Sequence, residues 1–236
     1  VGSALTRKWE GQKEVVYVSS GEGATSQGEF HEALNWASRE KLPVIFHIED
    51  NQYAISVHIS EQTSGGSVYS MVSGYQNLAR YNIDGTDFFE ANLAFEKAIE
   101  RARKGKGPSV IVSNVVRLLP HSSSDDQRKY RTEKDLETDK KRDPIFRFEE
   151  SCLESKVIQT KEFDKIKSEV HELIDEEAKW AEEQAHPPAS SALDFNYSQS
   201  PELKETSFNQ ISDKIVLVDA INHALSEEME KNDKMV

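Results

Sequence analysis

Residues 21–56 read GEGATSQGEFHEALNWASREKLPVIFHIEDNQYAIS, and the parsing of this stretch decides the fold. The run before it, Val15-Val16-Tyr17-Val18, is apolar and β-branched, the pattern of a buried parallel strand. Gly21 and Gly23 let the chain turn sharply and approach a ligand closely. From Gln27 to Lys41 the apolar period is helical, with Phe30, Leu34 and Ala37 on one face and Ala33 beside them. Pro43 ends that helix, and Val44-Ile45-Phe46-His47-Ile48 supplies a second strand. The unit is β-loop-α-β with a glycine-rich first turn, a design that holds phosphates where a helix begins.

Two ligands compete for such a turn. A dinucleotide fingerprint wants GxGxxG and an acid ending the second strand, where Glu49 stands. Its third glycine is absent, because position 26 is Ser and the next glycine is Gly28. Glu22, between the first two glycines, would repel a bare pyrophosphate. With a divalent cation between them the sign reverses, since carboxylate and phosphate oxygens share a hard metal. The second strand ends in Asn51-Gln52-Tyr53, 29 residues after Glu22. One helix and one strand separate the two turns, so both belong at the carboxyl edge of the sheet, where open α/β sheets bind ligands. An acid from one turn, with an amide oxygen and a main-chain carbonyl from the other, makes a Mg²⁺ site.

These residues resemble the thiamine diphosphate motif, written GDG followed by NN. They are most similar to the α part of the E1 component of 2-oxoacid dehydrogenase complexes, which carries GDGATSQG or GEGAxSEG and ends NNxYAIS. The resemblance implies a thiamin diphosphate-binding α/β fold: a mainly parallel sheet flanked by helices, with a helical C-terminal extension. It implies that Glu22, Asn51 and the carbonyl of Tyr53 bind Mg²⁺. Gly21, Gly23 and Ala24 would bind the cofactor, the last two through N–H groups offered to the diphosphate. Glu22 stands for the commoner Asp, a spelling that also occurs in branched-chain members. Asp50 replaces the first Asn of NN and adds a charge near the metal.

A second informative stretch, Arg117 to Arg131, reads RLLPHSSSDDQRKYR and follows the β-branched run Ser109–Val116. Rich in Ser and Asp, it is a loop at the same edge. It resembles the family's R-x-x-x-H-[ST]-x-S-D-D. The match assigns His121 as the active-site histidine near the diphosphate and the reacting carbon. It assigns Arg117, Ser122, Ser124, Asp125, Tyr130 and Arg131 to a loop ordered around the cofactor and an incoming lipoyl domain. A histidine suits this work because its ordinary pKa lies near neutrality. Pro120 stands where a second histidine is frequent.

The rest of the chain bounds the reading. A net charge of −13 over 236 residues argues against nucleic acid or an anionic membrane as partner. The single cysteine, Cys152, cannot form an internal disulfide, which fits a reducing compartment, the cytoplasm or a mitochondrial matrix. No run of about eighteen apolar residues exists to span a bilayer. Asp87 is placed to cap a helix reaching Lys104, with Phe88, Ala91, Phe95, Ala98 and Ala102 as its buried stripe. Asp143-Pro144 opens a helix and resembles the family's DPxxRFE element. Phe163 to Gln184 is an acidic amphipathic helix with Ile166, Val170, Leu173, Ile174 and Ala178 on one stripe. The expected organisation is an E1 α-like domain over 1–186, a linker over 187–212, and the start of an E1 β-like domain over 213–236, the chain being a fragment. The latter's strand is expected at Met235-Val236. The implied activity is decarboxylation of a branched-chain 2-oxoacid or pyruvate with acyl transfer to the lipoyl group of an E2 partner. The implied assembly is an oligomer with a β part or fused β domain. A dinucleotide-binding oxidoreductase domain and a non-catalytic member of the same fold are the alternatives.

Overall fold

The computed structural model describes residues 1–197, 215–233 and 235. It divides into two units, 1–178 and 179–236. In the first unit, α1 (Gly2–Trp9) leads into β1 (Val16–Gly21), a 3₁₀ turn over Glu22–Ser26, α2 (Gly28–Glu40) and β2 (Val44–Asp50). A small hairpin of β3 (Tyr53–Ala54) and β4 (Val57–His58) follows, then the short helices α3 (Ile59–Gln62) and α4 (Val68–Met71). Next come β5 (Ala79–Asp84), α5 (Phe88–Arg103), β6 (Ser109–Asn114), α6 (Glu133–Lys140) and α7 (Pro144–Glu154). The helix α8 (Thr160–Glu183) begins in this unit and ends in the second, which also holds α9 (Leu217–Lys231).

The sheet is wholly parallel in the order β1-β2-β6-β5, so all four strands end at one edge. Its central strands alternate cleanly, as a two-residue period requires. Val44, Phe46, Ile48, Val110 and Val112 pack on one face with Leu34 and Ala37 of α2 and Ala4 of α1. Ile45 and Ile111 pack on the other with Ala94 and Ala98 of α5. Local chemistry sets the ends. Lys41 adopts φ +52 to close α2. The Asp87 carboxylate accepts from the N–H groups of Phe89 and Glu90, and Asp143 accepts from Ile145 with Pro144 in the first turn. Gly107, at φ +98, is needed because a Cβ there would lie 2.7 Å from the Asn77 carbonyl oxygen.

Three expectations are corrected. Among the described residues β1 is an edge strand rather than a buried one, pairing only with β2, so Tyr17 and Val18 stay exposed. The buried stripe of α5 is Ala94, Ala98 and Ala102, with Ala91 and Phe95 partly buried. Phe88 lies outside it, exposed, its ring 4.8 Å from that of Phe148. Small alanines let the helix lie close to the sheet, and Phe88, in its first turn, packs on the aromatic rings of Phe89 and Phe148 instead. The stripe Ile166, Val170, Leu173 and Ile174 on α8 is exposed, because no described surface covers it. The expected linker contains a 3₁₀ turn at Ala189–Leu193, and its part from 198 to 212 lies outside the described residues. Where a strand was expected to begin, Met235 is irregular, and Val236 lies outside the described residues.

Candidate functional site

The two turns expected to meet at the carboxyl edge do meet. Glu22 follows the last residue of β1 and is 1% exposed. The Asn51 N–H, just past β2, donates to Glu22 Oε2 at 3.3 Å. The Thr25 hydroxyl donates to the Glu22 carbonyl at 2.7 Å and tightens the 3₁₀ turn. In the second turn, Asn51 Oδ1 accepts from the Tyr53 N–H at 3.1 Å, an Asx turn. The Asp50 carboxylate accepts from the N–H of Gln52 at 2.9 Å and from its side-chain amide at 2.8 Å, while Gln52 takes φ +72. Gly23 must be glycine, since a Cβ there would lie 2.8 Å from the Ala54 Cβ.

The electrostatics of this edge are unbalanced. Burial pushes the Glu22 carboxyl above its usual range, and the negative charge of Asp50 adds to that push. Burial also raises Asp50, opposed by its hydrogen bonds from Gln52. Main-chain hydrogen bonds and the Arg117 charge oppose the push on Glu22 without cancelling it. A divalent cation beside the carboxyls would offset it further. The carboxylate of Glu22, the amide oxygen of Asn51 and the carbonyl of Tyr53 are hard oxygen donors of the kind Mg²⁺ takes. Among the described residues no group of three or more His, Cys, Asp or Glu could hold a metal. The donor set here carries one acid only, which suits a Mg²⁺ that completes its shell with water and phosphate oxygens.

The loop after β6 closes over the second turn. Arg117 Nη1 donates to the Ile55 carbonyl at 2.7 Å, and its Nη2 donates to the Tyr130 hydroxyl at 2.7 Å. Ile55, a β-branched residue held at φ +56, is strained backbone that this bond helps fix. The Tyr130 hydroxyl donates to Asp125 Oδ2 at 2.5 Å, and the same oxygen accepts from the His121 N–H at 2.9 Å. These two bonds hold the Asp125 carboxyl below its usual range. Ser122 and Ser124 share a hydrogen bond at 3.2 Å. Arg131 is buried, paired with Asp139, and donates to the Arg117 carbonyl at 2.9 Å. The guanidinium carbons of Arg117 and Arg131 lie 5.6 and 5.3 Å from the Tyr53 ring centre. Arg117, Asp125, Tyr130, Arg131 and Tyr53 therefore form one connected group. His121 joins it by its main chain, with its side chain in solvent, and Ser122 and Ser124 are exposed beside it.

Two features escaped the sequence reading. Gln62 on α3 donates to the Gly23 carbonyl, 39 residues away. Asp84, ending β5 at the same edge, accepts from Arg142 and Arg147 at 2.9 and 2.8 Å and from Thr86. Burial works against ionisation of Asp84, but these donors outweigh it and hold the carboxyl far below its usual range. The DPxxRFE element carried a signal for the second feature, because Arg147 belongs to it.

A family model described as dehydrogenase E1 component matches residues 1–190. The chain is 38% identical to the 2-oxoisovalerate dehydrogenase subunit alpha of Bacillus subtilis, over 84% of this chain and 60% of that protein. It is 31% identical to the pyruvate dehydrogenase E1 component subunit alpha of the same organism, over 90% of this chain and 57% of that protein. It is 35% identical to the 3-methyl-2-oxobutanoate dehydrogenase subunit alpha of Mycobacterium tuberculosis, over 63% of this chain and 40% of that protein. The chain thus spans between 40% and 60% of the length of these relatives. A solved structure from Mycobacterium smegmatis, described as that of a proposed thiamin diphosphate-dependent enzyme, aligns at a TM-score of 0.37 and 24% identity. It covers 50% of this chain and 21% of its own, too slight an overlap to argue from.

Proposed function

Because the chain belongs to the dehydrogenase E1 component family, we propose that it forms the diphosphate- and metal-binding half of a thiamine diphosphate-dependent enzyme. The enzyme decarboxylates a 2-oxoacid and passes the acyl group to the lipoyl arm of an E2 partner. The lipoyl disulfide is the oxidant: one sulfur takes the acyl group and the other becomes a thiol. The relatives are named for 2-oxoisovalerate, 3-methyl-2-oxobutanoate and pyruvate, and Glu22 in place of Asp favours the branched-chain acids. The thiamine group, when bound, supplies the carbanion chemistry.

The chain's own residues bind and orient. Glu22, Asn51 and the Tyr53 carbonyl hold Mg²⁺. Gly21, Gly23 and Ala24 form the turn against the diphosphate. Arg117, Tyr130 and Asp125 brace the loop, and His121 donates a proton or hydrogen bond to the oxygen on which charge develops. Ser122 and Ser124 belong to the surface the lipoyl domain meets, and the buried Arg131 braces the loop behind them. A β chain or β-like domain completes the site, and the segment from 213 to 236 opens such a domain. A cytoplasmic setting fits the free Cys152. Among the described residues no helix is long and apolar enough to cross a membrane.

The observation that carries this reading is the buried Glu22 carboxylate held against the Asn51 turn at the carboxyl edge of the sheet. Calorimetry on the full-length protein tests it. Glu22→Ala should abolish Mg²⁺-dependent binding of thiamine diphosphate, and unchanged affinity would refute the assignment.

A further inference from the structure

Gln62 ends α3 and reaches from the support of the second turn into the main chain of the first. Its Nε2 donates to the Gly23 carbonyl at 2.6 Å and to Ser26 Oγ at 3.0 Å. The other end of α3 is fixed to the second turn, since the Ile59 N–H donates to the Gln52 carbonyl at 2.9 Å and the Ile59 side chain is buried in the core. A Cβ at Gly23 would clash with the Ala54 Cβ at 2.8 Å but would meet Gln62 Nε2 in ordinary contact at 3.7 Å, so Ala54 is what requires the glycine.

Peptide geometry supplies the consequence. Across a trans amide the carbonyl of one residue and the N–H of the next point in opposite directions, and no cis bond occurs among the described residues. Drawing the Gly23 carbonyl toward α3 therefore aims the Ala24 N–H away from α3. Ala24 is exposed, whereas its neighbours Glu22 and Thr25 are buried. Turning this peptide over would rotate ψ of Gly23 and φ of Ala24 and break the 3₁₀ turn over Glu22–Ser26, and the bond from Gln62 adds to that resistance. Turned over, it would present a carbonyl oxygen where an N–H had been, and oxygen repels phosphate.

We propose that Gln62 is a positioning residue for the diphosphate. It clamps the Gly23 carbonyl, presents the Ala24 N–H to the ligand, and ties the diphosphate turn to the metal turn through α3. This rests on the thiamine diphosphate reading above. The donor matters, and the bulk of the side chain does not.

The test uses the full-length protein with its partner chain and two variants, Gln62→Met and Gln62→Glu, which keep the size of the side chain and remove the donor. Calorimetry measures thiamine diphosphate with Mg²⁺ and, separately, inorganic pyrophosphate with Mg²⁺. Both variants should lose about 10–100-fold in affinity, the range for losing a supporting hydrogen bond at a metal site. The loss should be equal for the two probes, because only the diphosphate senses the clamp. At saturating cofactor, kcat and the KM for the 2-oxoacid should stay within about twofold of wild type, as expected for a loss of uniform binding. Wild-type affinity in either variant overturns the inference. A lowered unfolding midpoint with kcat depressed at saturating cofactor also overturns it, showing a merely structural role. If one variant does not fold, the other decides. If the wild-type protein itself binds no thiamine diphosphate, the proposed function fails first and takes this inference with it.

Discussion

Replacing Glu22 by Gln separates the price of the buried charge from its use. The carboxyl is 1% exposed, it accepts from its own main-chain N–H and, at a long 3.3 Å, from that of Asn51, and Asp50 lies near with the same sign. In the cation-free protein its folded pKa is raised by burial above the unfolded value near 4.3. From about pH 4.3 up to the folded pKa, the native state binds more protons than the unfolded state, so stability falls as pH rises through that window. Gln has no proton to lose and keeps an oxygen for the Asn51 N–H. At neutral pH without Mg²⁺, Glu22→Gln should therefore be more stable by about 1–3 kcal/mol, the cost of a poorly satisfied buried polar group. Each kcal/mol moves the melting point by about 2–4 °C in a protein of this size. With Mg²⁺ and thiamine diphosphate present the order should reverse. The wild type gains RT ln(1 + [L]/Kd), and the variant gains far less. Scanning calorimetry at pH 5 and pH 7.5, with and without the two ligands, checks both halves. A variant less stable than wild type without metal, yet equally stabilised by the cofactor, would contradict the reasoning.

Other outcomes follow from the same geometry. Gly23→Ala forces a Cβ to 2.8 Å from Ala54 and should cost about 1–3 kcal/mol in a urea titration, with Ala54→Gly in the same chain restoring most of it. Simple addition of the two single losses would show that the clash is not the cause. Tyr130→Phe removes the hydroxyl that joins Arg117 to Asp125, so amide exchange at His121 should quicken while the sheet amides keep their protection. Asp84 is held below its ordinary pKa, so its contribution is present above the unfolded value of about 3.9 and is lost as pH falls below it. Asp84→Asn should cost on the order of 1 kcal/mol at pH 7 for this partly exposed network and less at pH 3, read by circular dichroism in urea. Leu34→Ala, at a fully buried site, should cost about 2–5 kcal/mol with little change in cofactor affinity relative to folded protein.

Much of this protein is written locally. Gly21, Gly23 and Pro43 punctuate one β-loop-α-β unit, Asp87 and Asp143 cap the helices they precede, and the strand at 109–114 shows in its β-branched centre Val110-Ile111-Val112. Each signal acts within a few residues through hydrogen bonds or a steric limit, so periodicity and composition carry it. The meeting of Glu22 with Asn51 was legible too, because one helix and one strand between them leave two parallel strands only one common edge. Other features depended on which elements became neighbours. Tyr17 and Val18 look like core residues until the sheet order leaves β1 at its edge. Phe88 fits the apolar period of α5 but packs on Phe148 instead of the sheet. Gln62 meets Gly23 across 39 residues and Arg147 meets Asp84 across 63, with no pattern in either segment to announce the other. A chain segment encodes its own conformation through short-range sterics and capping, but a partner's identity comes from strand order and helix docking, which the whole core selects at once.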